Sequence, residues 1–246
     1  MPRPTVFADP PVLCGHRGSG RGVVAGNPEN SPASFRAAVA AGLGWVEVDA
    51  RLSADAVLVA RHDPVLGDGR FVADLPADEL GLMRVADLLG DLPPAIAVDI
   101  DVKSSLEDAL RPRHETTAAR VAELAEAEAE RRRVLVTSFD PAALLIVREL
   151  APSVPLGLLT WLHFPLRKAI AAAAQLGVEV VGPHVESFTP DGRERPAPES
   201  VRVAHEAGLQ VLAWCPDAAQ AGTLIAAGVD CLVVDEVPAA VAWGLL

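Results

Sequence analysis

W-V-E-V-D-A-R-L-S-A-D-A-V-L-V-A-R-H-D-P, residues 45–64, is the stretch from which the rest of the chain is read. Its first part, 44–50, sets Val46 and Val48 against Trp45, Glu47 and Asp49. This alternation is that of a β-strand, where residues i and i+2 point to one face. Glu47 and Asp49 therefore project side by side. Two carboxylates so placed repel each other, and holding them away from water adds a desolvation penalty. A half-buried strand gains nothing from such a pair, whereas a bound cation removes the penalty. Oxygen-only ligands favour a hard cation, Mg²⁺ or Ca²⁺. An isolated E-x-D is explained by an edge strand with its polar face in water, so its neighbours decide the reading.

Upstream, apolar Val12-Leu13-Cys14 runs into Gly15-His16-Arg17-Gly18. Downstream, Val57 to Arg61 reads as a short extended piece that continues the second strand and delivers His62-Asp63-Pro64. Further on, Ala95 to Val102 carries Asp99 and Asp101 on one face, with Lys103 following in step. Polar groups thus recur at the C-terminal ends of successive strands, where parallel α/β folds build their sites.

Apolar runs and Ala-rich helical runs alternate along the remainder. Strands are expected at 134–137, 156–159, 178–181, 210–214 and 231–234. A helix is expected over 32–41, with Ser31 as N-cap, Pro32 at its first position and Gly42 ending it. Others are expected over 78–89, 115–132, 141–150, 166–176, around 201–207 and over 218–227, with 239–245 closing the chain. Roughly eight β-α units make an α/β protein of the (β/α)8 TIM-barrel type. No linker divides the chain, so 1–246 reads as a single domain with a short insertion at about 65–94.

At 246 residues and 50% hydrophobic, the chain can bury one sizeable core. A net charge of -12 excludes the basic face that nucleic acid needs, and argues against docking on an anionic membrane. No apolar run reaches the ~18 residues of a membrane span. Cys14, Cys215 and Cys231 are an odd set within or just after apolar runs, read as reduced core thiols in a cytoplasmic protein. No C-x-x-C or His/Cys cluster in the sequence suggests zinc.

On a barrel, His16, Glu47, Asp49, His62, Asp101 and Lys103 fall at one rim. Glu47, Asp49 and Asp101 form a hard-cation site, with Asp99 on the same face as an alternative third ligand. A cation there polarises a phosphoryl or carbonyl oxygen. His16 and His62 suit general base and general acid. Arg17 and Lys103, cations beside an acidic site, suit an anionic substrate such as a phosphate ester. No nucleophile elbow is present, and the glycines 18, 20 and 22 make a flexible loop that does not meet the dinucleotide fingerprint. His184 and Trp214 are pocket candidates from their places after strands; Glu29, in Pro28-Glu29-Asn30, is a pocket candidate that can instead brace the first loop. Asp63 orients the loop at His62, and His114, His163 and His205 read as surface residues.

The ordered set His16-Arg17-Gly18, Pro28-Glu29-Asn30-Ser31, residues 45–49, His62-Asp63, Asp101-Val102-Lys103, Ser138-Phe139, Ala213-Trp214-Cys215-Pro216 and the run 229–235 resembles the glycerophosphodiester phosphodiesterase family. The resemblance covers nearly the whole chain. It implies a TIM barrel that hydrolyses glycerophosphodiesters to glycerol 3-phosphate and an alcohol with a divalent cation. It implies Glu47, Asp49 and Asp101 as metal ligands, His16 and His62 as the acid/base pair, and Arg17 and Lys103 as phosphate contacts. It also implies attack by the glycerol's own hydroxyl through a cyclic phosphate. The sequence departs from the family where Asp101 replaces the usual Glu, where residues 21–26 are extra, and where Asp55-Ala56 stands for the usual Asp-Gly. The insertion after His62-Asp63 is short, which argues against a large lid.

Two alternatives remain. A lysophospholipase-D-like activity would need an apolar groove, for which Leu158, Leu159, Trp161, Leu162 and Phe164 are available. A catalytically silent phosphate-binding barrel would have no reason to keep these histidines, carboxylates and cations in register. The alcohol head group, the choice between Mg²⁺ and Ca²⁺ and the oligomeric state are left open.

Overall fold

A computed structural model describes residues 5–189 and 194–244. Eight parallel strands form the frame: β1 (Val12–Gly15), β2 (Trp45–Leu52), β3 (Ala97–Val102), β4 (Val134–Ser138), β5 (Leu156–Thr160), β6 (Val180–Pro183), β7 (Gln210–Trp214) and β8 (Cys231–Val234). They pair in sequence order, and β1 pairs with both β8 and β2, which closes the ring. The closure register sets Gly15 beside Val234 and Val46. β2 and β3 lie in register with Glu47 opposite Asp99 and Asp49 opposite Asp101.

Alternation along each strand divides the core in two. Val46, Val48, Val98, Ile100, Val134 and Val136 pack outward in the large cluster beneath the helices. Trp45, Ala97, Leu135, Leu159, Val180, Leu212 and Val233 fill the inside of the ring, where Val6 and Phe7 join them. Phe7 meets Trp45 edge-on with ring centroids 5.1 Å apart. A strand that puts Trp45 inside also puts Glu47 and Asp49 inside, each one step nearer the C-terminal rim.

The first helix spans Pro32–Ala40, and Ser31 accepts from the Ser34 amide as its N-cap. The expected helix over 115–132 is Thr117–Ala129, entered through the cap of Thr116. Three expectations need correction. The piece near 57–61 is not a continuation of β2: Leu58–Ala60 turns back and pairs antiparallel with it, Ala50 opposite Ala60. The helix expected over 78–89 is two short ones, Ala77–Leu80 and Val85–Gly90, divided by Gly81 at φ 63°. The third and sixth strands start at Ala97 and Val180, each two residues later than expected. The insertion carries its own small apolar cluster of Val59, Val72, Ala77 and Leu80. No described helix is long and apolar enough to cross a membrane.

Candidate active site

The loop after β1 is built rather than slack, contrary to the flexible loop expected. The Ser19 amide donates to Ser34 Oγ at 2.7 Å, and Ser19 is buried. Gly20 has φ 138°, and a Cβ there would lie 1.8 Å from the Asp235 carbonyl oxygen. Only glycine lets this loop pass so close to the end of β8. The consequence is a fixed place for His16 and Arg17.

Glu47, Asp49 and Asp101 are all buried and bring one oxygen each to within 4.8 Å of the others. Glu47 Oε2 accepts from the Arg17 amide at 2.7 Å. Asp49 Oδ2 accepts from Asn30 Nδ2 at 2.7 Å and faces Arg17 Nε at 3.2 Å. Lys103 Nζ lies 2.9 Å from Asp49 Oδ1 and pairs with Asp101 Oδ2. Glu47 Oε1 and Asp101 Oδ1 find no hydrogen-bond partner among the described residues. Burial, then Asp49 and Asp101, hold the Glu47 carboxyl well above its usual range. Burial also opposes ionisation of Asp49, but Lys103 and Arg17 win and hold it low. The Lys103 ammonium is held above its usual range: burial opposes charge there, and Asp101 and Asp49 outweigh it.

Asp99 is one step deeper and outside this cup. Its Oδ1 accepts from Thr137 Oγ1 at 2.8 Å. Burial pushes its carboxyl well up. Of the two carboxylates left open as third ligand, Asp101 is the one that joins Glu47 and Asp49.

The histidines are held differently. His16 Nδ1 lies 2.5 Å from Asp235 Oδ1, and Nε2 lies 4.0 Å from Glu47 Oε2. Asp235 is pulled down to about 2; burial resists this, and the hydrogen bond to His16 prevails. His62 is more open, with 40% of its side chain exposed and Nδ1 2.8 Å from Asp63 Oδ1. Burial still lowers its pKa. Arg51 Nε donates to the His62 carbonyl at 2.7 Å and holds that loop to β2.

A cavity of about 390 Å³ joins these groups; His16, Arg17, Glu47, His62, Asp101 and Lys103 line one side. Asp99, Arg51, Phe139, Trp161 and Trp214 also line it. Phe139 stacks on Trp161 at 4.3 Å and meets Trp214 edge-on at 5.6 Å, so the opposite wall is aromatic. Two pocket candidates sit elsewhere. Glu29 points away to accept from Arg17 Nη1 at 2.9 Å and from the Gly22 amide, bracing the first loop. His184 accepts from the Glu186 amide and packs on the back of Trp214 at 4.3 Å. Asn30, Arg51 and Asp235 carry contacts that the sequence reading did not assign. Asn30 and Asp235 stand within quoted motifs, but nothing local tells which distant group each meets.

The model of the Glycerophosphoryl diester phosphodiesterase family matches residues 16–239. The chain belongs to this family. A Glycerophosphodiester phosphodiesterase from Caldanaerobacter subterraneus subsp. tengcongensis is 25% identical, over 92% of this chain and 94% of that protein. Among solved structures, an Oleispira antarctica phosphodiesterase in complex with the product sn-glycerol-3-phosphate superposes with a TM-score of 0.77 at 24% identity, covering 94% of this chain and 95% of that one. The glycerophosphodiester phosphodiesterase of Thermotoga maritima gives 0.71 at 22% identity, covering 92% and 95%. Both share the barrel. As a member of the glycerophosphoryl diester phosphodiesterase family, the chain is a phosphodiester hydrolase of glycerophosphodiesters, and its acidic cluster is suited to a divalent cation.

Proposed function

We propose that this chain cleaves glycerophosphodiesters to glycerol 3-phosphate and an alcohol, with one divalent cation, Mg²⁺ or Ca²⁺, held by Glu47, Asp49 and Asp101. The observation that carries the reading is the cup itself: three buried carboxylates converge while Glu47 Oε1 and Asp101 Oδ1 have no hydrogen-bond partner among the described residues. Buried oxygens without partners carry a large desolvation penalty, and an all-oxygen donor set of this charge fits a hard cation. When bound, the cation supplies Lewis-acid polarisation of a phosphoryl oxygen and makes a nearby hydroxyl more acidic.

The side chains then divide the work. Arg17 and Lys103 offset the phosphate's charge and fix its place over the cup. Asp235 accepts from His16 Nδ1–H, which leaves Nε2 as a base on the Glu47 side of the cavity. His16 takes the proton of the substrate's glycerol hydroxyl as that oxygen attacks phosphorus. His62, at the open side, gives a proton to the departing alcohol oxygen. The phosphorus–alcohol bond breaks and a cyclic phosphate remains. In the second half His62 takes a proton from water, and His16 returns its proton to the ring oxygen that leaves. The sum is one water consumed and glycerol 3-phosphate released. The product named for the Oleispira antarctica structure supports this ending.

The lipid reading finds less support. Leu158 packs outward under the helices and Leu159 packs inside the ring, so the five apolar residues do not form one groove. Only Trp161 and Leu162 of that set are strongly exposed. The test is hydrolysis of glycerophosphocholine, glycerophosphoethanolamine and lysophosphatidylcholine, each with Mg²⁺, Ca²⁺ or EDTA. Glycerol 3-phosphate is expected from the first two and nothing in EDTA. Turnover confined to the lysophospholipid would replace the substrate assignment. His16→Ala and His62→Ala should each lower turnover by ~10²-fold or more; full activity in either removes that residue's role.

A further inference from the structure

Behind His16, on the side away from the carboxylate cup, lies a second cluster of different chemistry. His16 Nδ1, Cys215 Sγ and Asp235 each offer a ligand atom, and these lie within 4.8 Å of one another. Cys215 Sγ is 3.8 Å from His16 Nδ1, and Asp235 Oδ1 is 2.5 Å from it. The three residues come from the ends of β1, β7 and β8, which ring closure makes neighbours. None of the three is fully buried, so an ion has a way in.

We infer that His16, Cys215 and Asp235 form a second, soft-metal site that takes Zn²⁺ or a similar borderline ion, distinct from the hard-cation cup. Imidazole, thiolate and carboxylate together are a zinc-type donor set, whereas three carboxylates suit Mg²⁺ or Ca²⁺. Geometry agrees. Tetrahedral zinc with Zn–N of about 2.0 Å and Zn–S of about 2.3 Å sets N and S about 3.5 Å apart. The pair here needs to close only slightly. The Asp235 oxygen must give up its 2.5 Å contact with His16 Nδ1 and open to about 3.3 Å; that side chain is 35% exposed. Water completes a fourth position. The ion takes the Nδ1 lone pair of the other neutral tautomer: the single imidazole proton of His16 moves from Nδ1 to Nε2, and only the thiol proton of Cys215 leaves to solvent.

Occupancy has a functional consequence, which rests on the role given to His16 above. With the ion on Nδ1, the imidazole carries its single proton on Nε2 and loses the lone pair that faces the cavity. The soft metal would then switch the enzyme off without displacing the hard cation.

Co²⁺ reports the site directly, because a cobalt–thiolate bond gives a near-ultraviolet charge-transfer band. Co²⁺ is titrated into the full chain with excess Mg²⁺ present to occupy the carboxylate cup. One Co²⁺ per chain with the thiolate band is expected, and Zn²⁺ should displace it. Cys215→Ser should abolish the band; Cys215→Asn, which suits the backbone here (φ 60° at Cys215), does the same if the serine variant fails to fold. Asp235→Asn should weaken Co²⁺ binding about tenfold or more. A band that survives both Cys215 variants, or Co²⁺ bound without any band, overturns the site. The inhibition arm is separate: Zn²⁺ should inhibit glycerophosphocholine hydrolysis in excess Mg²⁺, with the inhibitory concentration raised about tenfold or more by Cys215→Ser. Thiolate-bound Co²⁺ with no zinc inhibition would keep the site and overturn the switch. Absence of hydrolysis altogether would fall on the proposed function, leaving the spectroscopic result to decide the site.

Discussion

Asp99 and Asp101 stand two residues apart on one face of β3, yet their surroundings make them different groups. Asp101 is level with Asp49, touches Lys103 and has an oxygen without a partner. Asp99 is level with Glu47 and accepts from Thr137. Burial raises both carboxyls, but Lys103 offsets it at Asp101, while at Asp99 the rise is large. One step along a strand thus separates a carboxyl paired with Lys103 beside Glu47 and Asp49 from one hydrogen-bonded to Thr137 in the barrel interior. A carboxylate's depth in the ring and the cations it meets set its role more than its sequence pattern does.

The comparison is broken most directly by mutating each side of it. Asp101→Asn should lower glycerophosphocholine turnover by at least about a hundredfold, because it removes a charged ligand from the cup. Asp99→Asn keeps the shape and the acceptor for Thr137, so turnover should stay within about threefold of the wild type. Equal losses in the two variants would erase the distinction.

A smaller effect sharpens it. On the proposed function, saturating Mg²⁺ or Ca²⁺ would bind the folded cup and not the unfolded chain, and a hundredfold excess over Kd would stabilise by about 2.7 kcal/mol. Thermal unfolding should therefore rise on adding the cation to wild type and to Asp99→Asn, and not to Asp101→Asn. A shift of the same size in Asp101→Asn would place the cation elsewhere.

The smallest effect concerns pH. The Asp99 carboxyl is held above its unfolded value of 3.8. A raised folded pKa means that the folded chain binds the proton more tightly. Its contribution to stability is full below pH 3.8 and is lost as pH rises towards the folded value. Asn carries no such proton. Wild type should thus lose stability relative to Asp99→Asn as pH rises from 3.8 towards the folded value, as read by denaturant unfolding at several pH values. A parallel pH course for the two proteins would mean Asp99 is ionised in the fold.

The barrel was legible because alternation and helix caps are local. The strand that carries Val46 and Val48 outward must carry Glu47 and Asp49 inward, and Ser31-Pro32 is a helix start in any setting. The cup was legible for the same reason, through i, i+2 spacing on two strands. The turn after β2 was not: the chain reverses with Ala56 at φ 61°, a conformation that glycine would have advertised and alanine hides. Asp235 was missed for another reason. Its partner His16 is 219 residues away, and only closure of β8 on β1 brings them together. Asn30 likewise meets Asp49 only once the first helix has docked. Glu29 and His184 show the converse. His184 follows a strand as pocket residues do and Glu29 stands in a quoted motif, but each spends its side chain on a loop amide, and Glu29 also on Arg17, bracing the first loop.

The central claim is that Glu47, Asp49 and Asp101 hold one cation without which no glycerophosphodiester is cleaved. The direct measurement is glycerol 3-phosphate release from glycerophosphocholine by enzyme stripped with EDTA, with metal content measured beside it, and then titrated with Mg²⁺ or Ca²⁺. The account predicts that release disappears with the metal and returns in proportion as one cation per chain is restored. Undiminished release from enzyme shown to carry no metal would contradict it.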